Sequence, residues 1–288
     1  MAEEKTRIRA TTHCDQVEHS NTTVSEHKCD FIAQNLMVST FMAGRLAHSI
    51  AKWREMTSDK WVLDTVQHYH IEFAEWPVQT RIPQEICFSD HESSMITDEV
   101  AKMLQKGAIV QKTHSDGEYL SNIFLRPKKD GSFRPIINLR GLNAFVAYHH
   151  FKMETIRNAI QLIRANDYMA SIDLKDAYFA IPIAKEHRKF LRFVWQDKVY
   201  EFNCLPFGLA SAPRVFTKVM KPIIASLRQL GHESCDYIDD SLLIGRTAQE
   251  CVDNILARIT LIQSLGFTVN AQKSVLTPPR KLFSSGLS

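Results

Sequence analysis

Apolar residues recur at helical spacing between Phe31 and about Met56, where Leu36, Phe41, Leu46, Ile50 and Trp53 are candidates for one buried face. Thr57-Ser58-Asp59 then precedes Trp61, Val62, Leu63 and Val66, which predicts a polar cap followed by a short second helix. Trp76-Pro77 begins an extended linker that runs to about Ser94. Thr97-Asp98-Glu99 opens a third predicted helix, with Val100, Met103 and Leu104 inward and Gly107 as its stop. Residues 120–125 and 133–137 read as strands, and Lys129-Asp130-Gly131-Ser132 between them carries the Asp-Gly hairpin signal. Helical spacing returns over 154–163. Strands follow at 168–172, 190–195 and 198–203, with Gln196-Asp197 as a tight turn. Pro213 suits the first turn of a long helix reaching about Leu230. A strand pair brackets Asp239-Asp240, and a last helix over 248–265 stops at Gly266. No internal repeat is present, and helices mixed with mostly non-alternating strands indicate an α+β fold.

Composition narrows the class. The 288 residues are 44% hydrophobic and 23% charged, which excludes a chain disordered throughout, a collagen or a coiled coil. No apolar run is long enough to span a bilayer, so no membrane partner is expected. The N-terminus has no apolar stretch of the signal-peptide kind. Residues 1–30 are polar, rich in Thr, His, Glu and Ser, and read as a disordered tail. Cys14 and Cys29 stand there with His13, His19 and His27, but their spacings match no common zinc finger or knuckle. The six cysteines form no CxxC pair and are expected as reduced thiols, cytosolic or nuclear. The net charge is only +3, yet residues 100–140 hold eight Lys and Arg against three acids. A local basic patch of this kind is the footprint of a polyanion site.

The carboxylates carry the candidate chemistry. In Cys235-Asp236-Tyr237-Ile238-Asp239-Asp240-Ser241-Leu242-Leu243-Ile244, two adjacent acids stand between apolar strand-like runs. Neighbouring strand residues point to opposite faces, so Asp239 and Asp240 cannot both pack inward. Paired carboxylates beside apolar strands are unfavourable unless a cation neutralises them, although Asp also favours solvated turns. Asp173 lies at the end of another apolar strand, in Ser171-Ile172-Asp173-Leu174-Lys175-Asp176-Ala177-Tyr178-Phe179. If the two strands are neighbours, three carboxylates make a hard-oxygen cage suited to Mg²⁺. Two such ions stabilise both the attacking and the leaving oxygen of an in-line phosphoryl displacement.

These segments resemble a reverse transcriptase palm. Tyr237-Ile238-Asp239-Asp240 and the upstream Asp173 segment are two of its motifs. Leu205-Pro206-Phe207-Gly208-Leu209-Ala210-Ser211-Ala212-Pro213 resembles its loop-to-helix motif. Pro127-Lys128-Lys129-Asp130-Gly131-Ser132-Phe133-Arg134-Pro135, continuing to Leu139-Arg140-Gly141-Leu142-Asn143, resembles its fingers hairpin. The four motifs stand in the family's order and spacing, and the resemblance covers about residues 95–278. Residues 41–76 are similar to the segment before the polymerase in DIRS-type retrotransposons, while gypsy-like elements share the core motifs.

The resemblance implies a fingers–palm polymerase core: an antiparallel palm sheet with packed helices and a helical N-terminal extension. The expected units are a tail (1–30), a helical extension and linker (31–94), fingers with part of the palm (95–167), palm (168–278) and a truncated primer-grip region (279–288). It implies RNA-directed DNA polymerase activity on an RNA or DNA template with a primer, using deoxynucleoside triphosphates (dNTPs). It also implies two Mg²⁺ ions, with Mn²⁺ as the substitute. Asp173 and Asp239 would bind both ions, with Asp240 completing the acidic cluster and the Leu174 carbonyl as a further ligand. Lys128 and Arg134 match phosphate-gripping positions, and the N–H groups of Asp176 and Ala177 would add donors. Tyr178 matches the sugar gate, whose ring leaves no room for a 2′-hydroxyl. Phe207 and Gly208 would pack near the incoming nucleotide, and Arg140 and Tyr237 match template–primer positions. Lys273, in Val269-Asn270-Ala271-Gln272-Lys273, matches a lysine near the pyrophosphate and a candidate general acid, although an exposed strand-edge lysine fits the residues equally.

Where the family continues into an apolar primer-grip hairpin, this sequence reads Lys281-Leu282-Phe283-Ser284-Ser285-Gly286-Leu287-Ser288, and no thumb is expected within it. RNase H and recombinase or integrase domains are expected in a larger polyprotein. Two rivals stand beside this expectation. One is a catalytically silent nucleic-acid-binding remnant, favoured by the missing thumb. The other is an RNA-dependent RNA polymerase, which Tyr178 and the Tyr-Ile-Asp-Asp run disfavour.

Overall fold

The computed structural model describes residues 41–84, 86–127 and 133–277. The polar tail with its zinc candidates, the start of the first predicted helix with Leu36, Lys128, the 129–132 turn and the C-terminal remnant lie outside these residues. After Gly44 in a left-handed conformation, a 3-10 turn over Arg45–Ser49 leads into helix α1 (Ile50–Met56). Helix α2 (Lys60–Gln67) begins at Asp59, whose carboxylate accepts the Val62 N–H as an N-cap. Leu46, Trp53, Val62 and Val66 are buried, the stripe expected from their spacing.

The third helix is longer than its apolar spacing suggested. α3 spans Asp90–Gln105, starting seven residues before Thr97. Its start is a capping box, in which the Ser89 hydroxyl accepts the Glu92 N–H and the Glu92 carboxylate accepts the Ser89 N–H. Ile96 and Val100 point inward, but Leu104 is exposed. Strand β1 (Ile109–Lys112), not anticipated from the sequence, pairs antiparallel with β7 (Lys198–Phe202). β7 pairs with β6 (Arg192–Trp195), and β6 pairs parallel with the two-residue β2 (Leu120–Ser121), giving one four-stranded sheet. The turn between β6 and β7 places Gln196 and Asp197 at positive φ, as a type I′ hairpin requires. β3 (Ile123–Pro127) and β4 (Phe133–Ile137) form the separate hairpin. Two short helices follow, α4 (Arg140–Asn143) and α5 (Ile156–Leu162).

The second sheet is three-stranded and antiparallel, with β9 (Asp240–Gly245) between β5 (Tyr168–Asp173) and β8 (Glu233–Tyr237). Helices α6 (Ala212–Gln229) and α7 (Ala248–Ser264) pack on its inner face. Pro213 does lie in the first turn of α6. One hydrophobic core runs from Leu46 to Leu276. The N-terminal segment belongs to it. The Trp53 indole donates to the Leu265 carbonyl at 3.0 Å, and the Tyr69 hydroxyl hydrogen-bonds Ser211 at 3.1 Å. Gly266 has φ +97, and a Cβ there would stand 2.9 Å from the Arg45 carbonyl oxygen, so only glycine permits this approach. Among the described residues no helix is long and apolar enough to cross a membrane.

Candidate active site

Strand register assembles the acidic tip. Asp173, the last residue of β5, faces Asp240, the first of β9, and Asp240 in turn faces Tyr237, the last of β8. These three share one sheet face, because the rung below, Ile172–Ser241–Asp236, must point to the other. The adjacent acids are thus divided between two kinds of position: Asp239 sits in the two-residue turn and Asp240 opens the strand. Ile238, the other turn residue, has φ +55. A β-branched residue at positive φ is strained, and such strain persists only where the surroundings over-determine it. The tip is tied to β5 by the Leu174 N–H, which donates to the Asp239 carbonyl at 3.0 Å. Residues 268–275 line the other edge of β5. Here the Ser274 hydroxyl accepts the Asp173 N–H, and the Asn270 N–H donates to the Asp173 carbonyl.

The site is rich in negative charge. Partial burial, first, and then the Asp239 and Asp173 charges push the Asp240 carboxyl above its usual range. Lys273 acts in the opposite sense, and its ammonium lies 4.0 Å from Asp173. That lysine side chain is 67% exposed and sits in a turn, not on a strand edge. The expected three-carboxylate cage is not closed: among the described residues, no three His, Cys, Asp or Glu side chains stand close enough to hold a metal ion. Mutual repulsion opposes such convergence until a cation separates the charges. The donor set and the raised Asp240 still fit a hard divalent cation.

Tyr178 is buried beside this tip. Burial, then the nearby Asp239 and Tyr237, push its phenol up to about 12. Its ring stacks on Phe207 at 5.0 Å and leans on Phe216 at 5.5 Å. Phe207 is partly exposed and covers the Tyr178 ring on a loop that Gly208 makes possible. Gly208 has φ +99, and a Cβ would meet the Ile137 carbonyl oxygen at 3.2 Å. Asn143, which the sequence offered only as part of a motif, locks this loop. Its amide donates to the Gly208 carbonyl at 2.9 Å and accepts the Ala210 N–H at 2.8 Å.

Among the described residues, the basic positions of the 100–140 segment fall on and beside α3, on β1, on the β3–β4 hairpin and on α4. Arg126 and Arg134 are register partners on β3 and β4. Lys128 lies outside the described residues. Lys106, at the end of α3, forms an ion pair with Asp176 at 2.8 Å. Asp176 has φ +48 and caps the 3-10 turn Ala177–Ala180, which brings Ala177 and Tyr178 to the tip. Arg140 is exposed at the start of α4, and Tyr237 is half-exposed on the carboxylate face.

Antiparallel carboxylate-bearing strands backed by two helices, with a β3–β4 hairpin ahead of them, define the fingers–palm core of a nucleic-acid polymerase. Residues 126–283, more than half of the chain, match the model of the reverse transcriptase (RNA-dependent DNA polymerase) family, and the chain belongs to that family. It is 24% identical over 178 residues to the Transposon Tf2-3 and Tf2-7 polyproteins of Schizosaccharomyces pombe. The match covers 62% of this chain and 13% of each polyprotein, so the chain spans a small part of those relatives. Among solved structures, it resembles the foamy viral protease-reverse transcriptase in complex with double-stranded DNA, with a TM-score of 0.63 and 21% identity. That alignment covers 72% of this chain and 35% of the viral one. A foamy viral protease-reverse transcriptase in complex with an RNA/DNA hybrid aligns with a TM-score of 0.60 and 21% identity over 72% of this chain and 27% of the other. The chain is a reverse transcriptase domain of the kind that retrotransposon polyproteins carry.

Proposed function

We propose that this domain adds dNTPs to a primer 3′-hydroxyl on an RNA or DNA template, as the polymerase step of retrotransposon replication. One observation carries the proposal: register puts Asp173 and Asp240 side by side at one end of the sheet, where partial burial and then the charges of Asp239 and Asp173 push the Asp240 carboxyl above its usual range. A face that gathers carboxylates at one strand end suits divalent ions and the phosphates they bring. Asp173 and Asp239, with Asp240 beside them and the Leu174 carbonyl behind, would hold two Mg²⁺ or Mn²⁺ ions. Those ions, when bound, lower the pKa of the primer hydroxyl and offset charge on the triphosphate.

The protein's own groups supply position. Tyr178, clamped between Phe207 and Phe216, presents a fixed ring that excludes a ribose 2′-hydroxyl by shape. Lys128 and Arg134 grip the triphosphate from the hairpin arms, joined by the Asp176 and Ala177 N–H groups. Gly208 lets the loop backbone approach the nucleotide. Arg140 and Tyr237 contact the template–primer. Lys273, exposed and within reach of Asp173, delivers a proton to the leaving pyrophosphate. RNase H and recombinase or integrase activities belong to other parts of the polyprotein.

Primer extension tests the proposal. Purified chain receives oligo-dT on poly-rA with dTTP and Mg²⁺ or Mn²⁺, beside an Asp239→Asn control. Incorporation that disappears in the control supports the polymerase. RNA binding without incorporation in either protein rejects it in favour of a silent binding remnant.

A further inference from the structure

The inner face of the hairpin that carries Asp239 and Asp240 holds a second carboxylate, Asp236, with a quite different environment. Asp236 is buried and accepts four side-chain hydrogen bonds. Arg258 of α7 donates to both of its oxygens, at 2.7 and 3.1 Å. Ser241 donates to one oxygen at 2.7 Å, and Ser234 to the other at 2.9 Å. Arg258 is 1% exposed and also reaches the Ser234 hydroxyl at 2.6 Å. One helical turn earlier, Asn254 donates to the Glu233 and Ile244 carbonyls at the root of the same strand pair. The Asp236 N–H is taken by Glu154 at 2.7 Å.

The placement of this network is specific. Asp236 and Ser241 are register partners, one rung below Tyr237–Asp240 and two residues from the strained turn at Ile238. Apolar side chains could fill the same volume, but they tolerate sliding. A bidentate fork matched to hydroxyls on both strands fits one register only. A slip of one residue would carry Asp240 to the wrong face, away from Asp173. We propose that Asp236 and Arg258 are positioning residues: from behind the sheet they hold the Ile238-Asp239 turn so that Asp240 stands opposite Asp173 with Asp239 beside it. This rests on the polymerase reading of the carboxylate face.

The test uses the full chain and three proteins: wild type, the paired apolar variant Asp236→Leu/Arg258→Met, and Arg258→Lys, which keeps the charge and loses the fork. Each is examined by thermal melting, by hydrogen exchange of the amides at 236–241 and at Leu174, by Mn²⁺ binding followed through its electron paramagnetic resonance signal, and by single-nucleotide incorporation. Replacing a buried ion pair by apolar residues often leaves stability intact, so the paired variant is expected to melt near wild type. Its hairpin amides are nevertheless expected to exchange faster. Mn²⁺ affinity should fall by about tenfold or more, as for outer-shell partners of metal ligands. Turnover should fall by about 10²-fold, as for small misplacements of reacting groups, with little change in the KM for dNTP. Wild-type exchange and Mn²⁺ affinity in a folded paired variant would overturn the proposal, leaving the pair as filling. Should the paired variant not fold, Arg258→Lys decides between these outcomes through the same readouts. A wild type that neither binds Mn²⁺ nor incorporates overturns the polymerase reading alone, and hydrogen exchange still decides whether the pair holds the hairpin.

Discussion

The β8–β9 hairpin displays acids on its two faces, and they meet opposite fates. On the inner face, Asp236 is enclosed by Arg258, Ser234 and Ser241. On the outer face, Asp173 and Asp240 meet each other, with Asp239 close by and the Lys273 ammonium 4.0 Å from Asp173. A neutralised buried carboxylate holds structure in place. Carboxylates crowded against one another repel, and a bound cation relieves that repulsion. The same residue type therefore serves two ends, and strand parity decides which.

The largest effect is expected on the outer face. Asp173→Asn is expected to lower nucleotide incorporation by at least about 10³-fold, equivalent to roughly 4 kcal/mol of barrier. Its melting temperature should stay at or above that of wild type, since a repelling charge is lost. Retained turnover in this variant would end the assignment. On the inner face the signs reverse. Arg258→Met leaves Asp236 buried without its partner and is expected to destabilise the fold by about 3–5 kcal/mol, lowering the melting temperature by roughly 10 °C. A melting curve that does not move would mean that solvent reaches Asp236.

Smaller effects separate the two faces further. Tyr178→Val removes the ring clamped beside the outer face and should raise ribonucleotide incorporation relative to deoxynucleotide by about tenfold or more, measured by competition between the two triphosphates. Unchanged discrimination would remove Tyr178 from the sugar site. The smallest effect expected is at Asp240. Its folded pKa lies above the unfolded value, so the fold binds this proton more tightly than the unfolded chain does. That contribution is present at low pH and is lost as pH rises from the unfolded value through the raised folded one. Asp240→Asn should remove this loss and, without divalent ions at neutral pH, raise the melting temperature by about 1–2 °C after solvent screening. A lower melting temperature would show that Asp240 is compensated within the fold.

Much of this was legible from local signals. Asp59 before Trp61 announced a helix because capping is a contact between residues three apart, and the structure forms that cap. Gln196-Asp197 announced a turn because two residues at positive φ close a hairpin locally. The start of α3 was missed although its capping box is equally local, because the apolar spacing near Thr97 drew the boundary inward. β1 was missed because four residues with one buried side chain carry no period of their own, and only pairing with β7, about ninety positions later, makes them a strand.

At the site the division is sharper. Residue type and order within short segments were enough to mark Asp173, Asp239 and Asp240 as chemical candidates, while Tyr178, Phe207 and Gly208 were named through the family resemblance, and the folded chain stacks Tyr178 on Phe207. Three features emerged with the folded chain alone: Asp240, not Asp239, is the strand partner of Asp173, Asn143 clamps the Phe207 loop, and Asp236 is bound from behind by Arg258. Each of these depends on register between strands or on contacts between residues 22 to 67 positions apart. A buried arginine on α7 looks in sequence like any solvated helix charge, and its burial exists only once the sheet has packed against that helix.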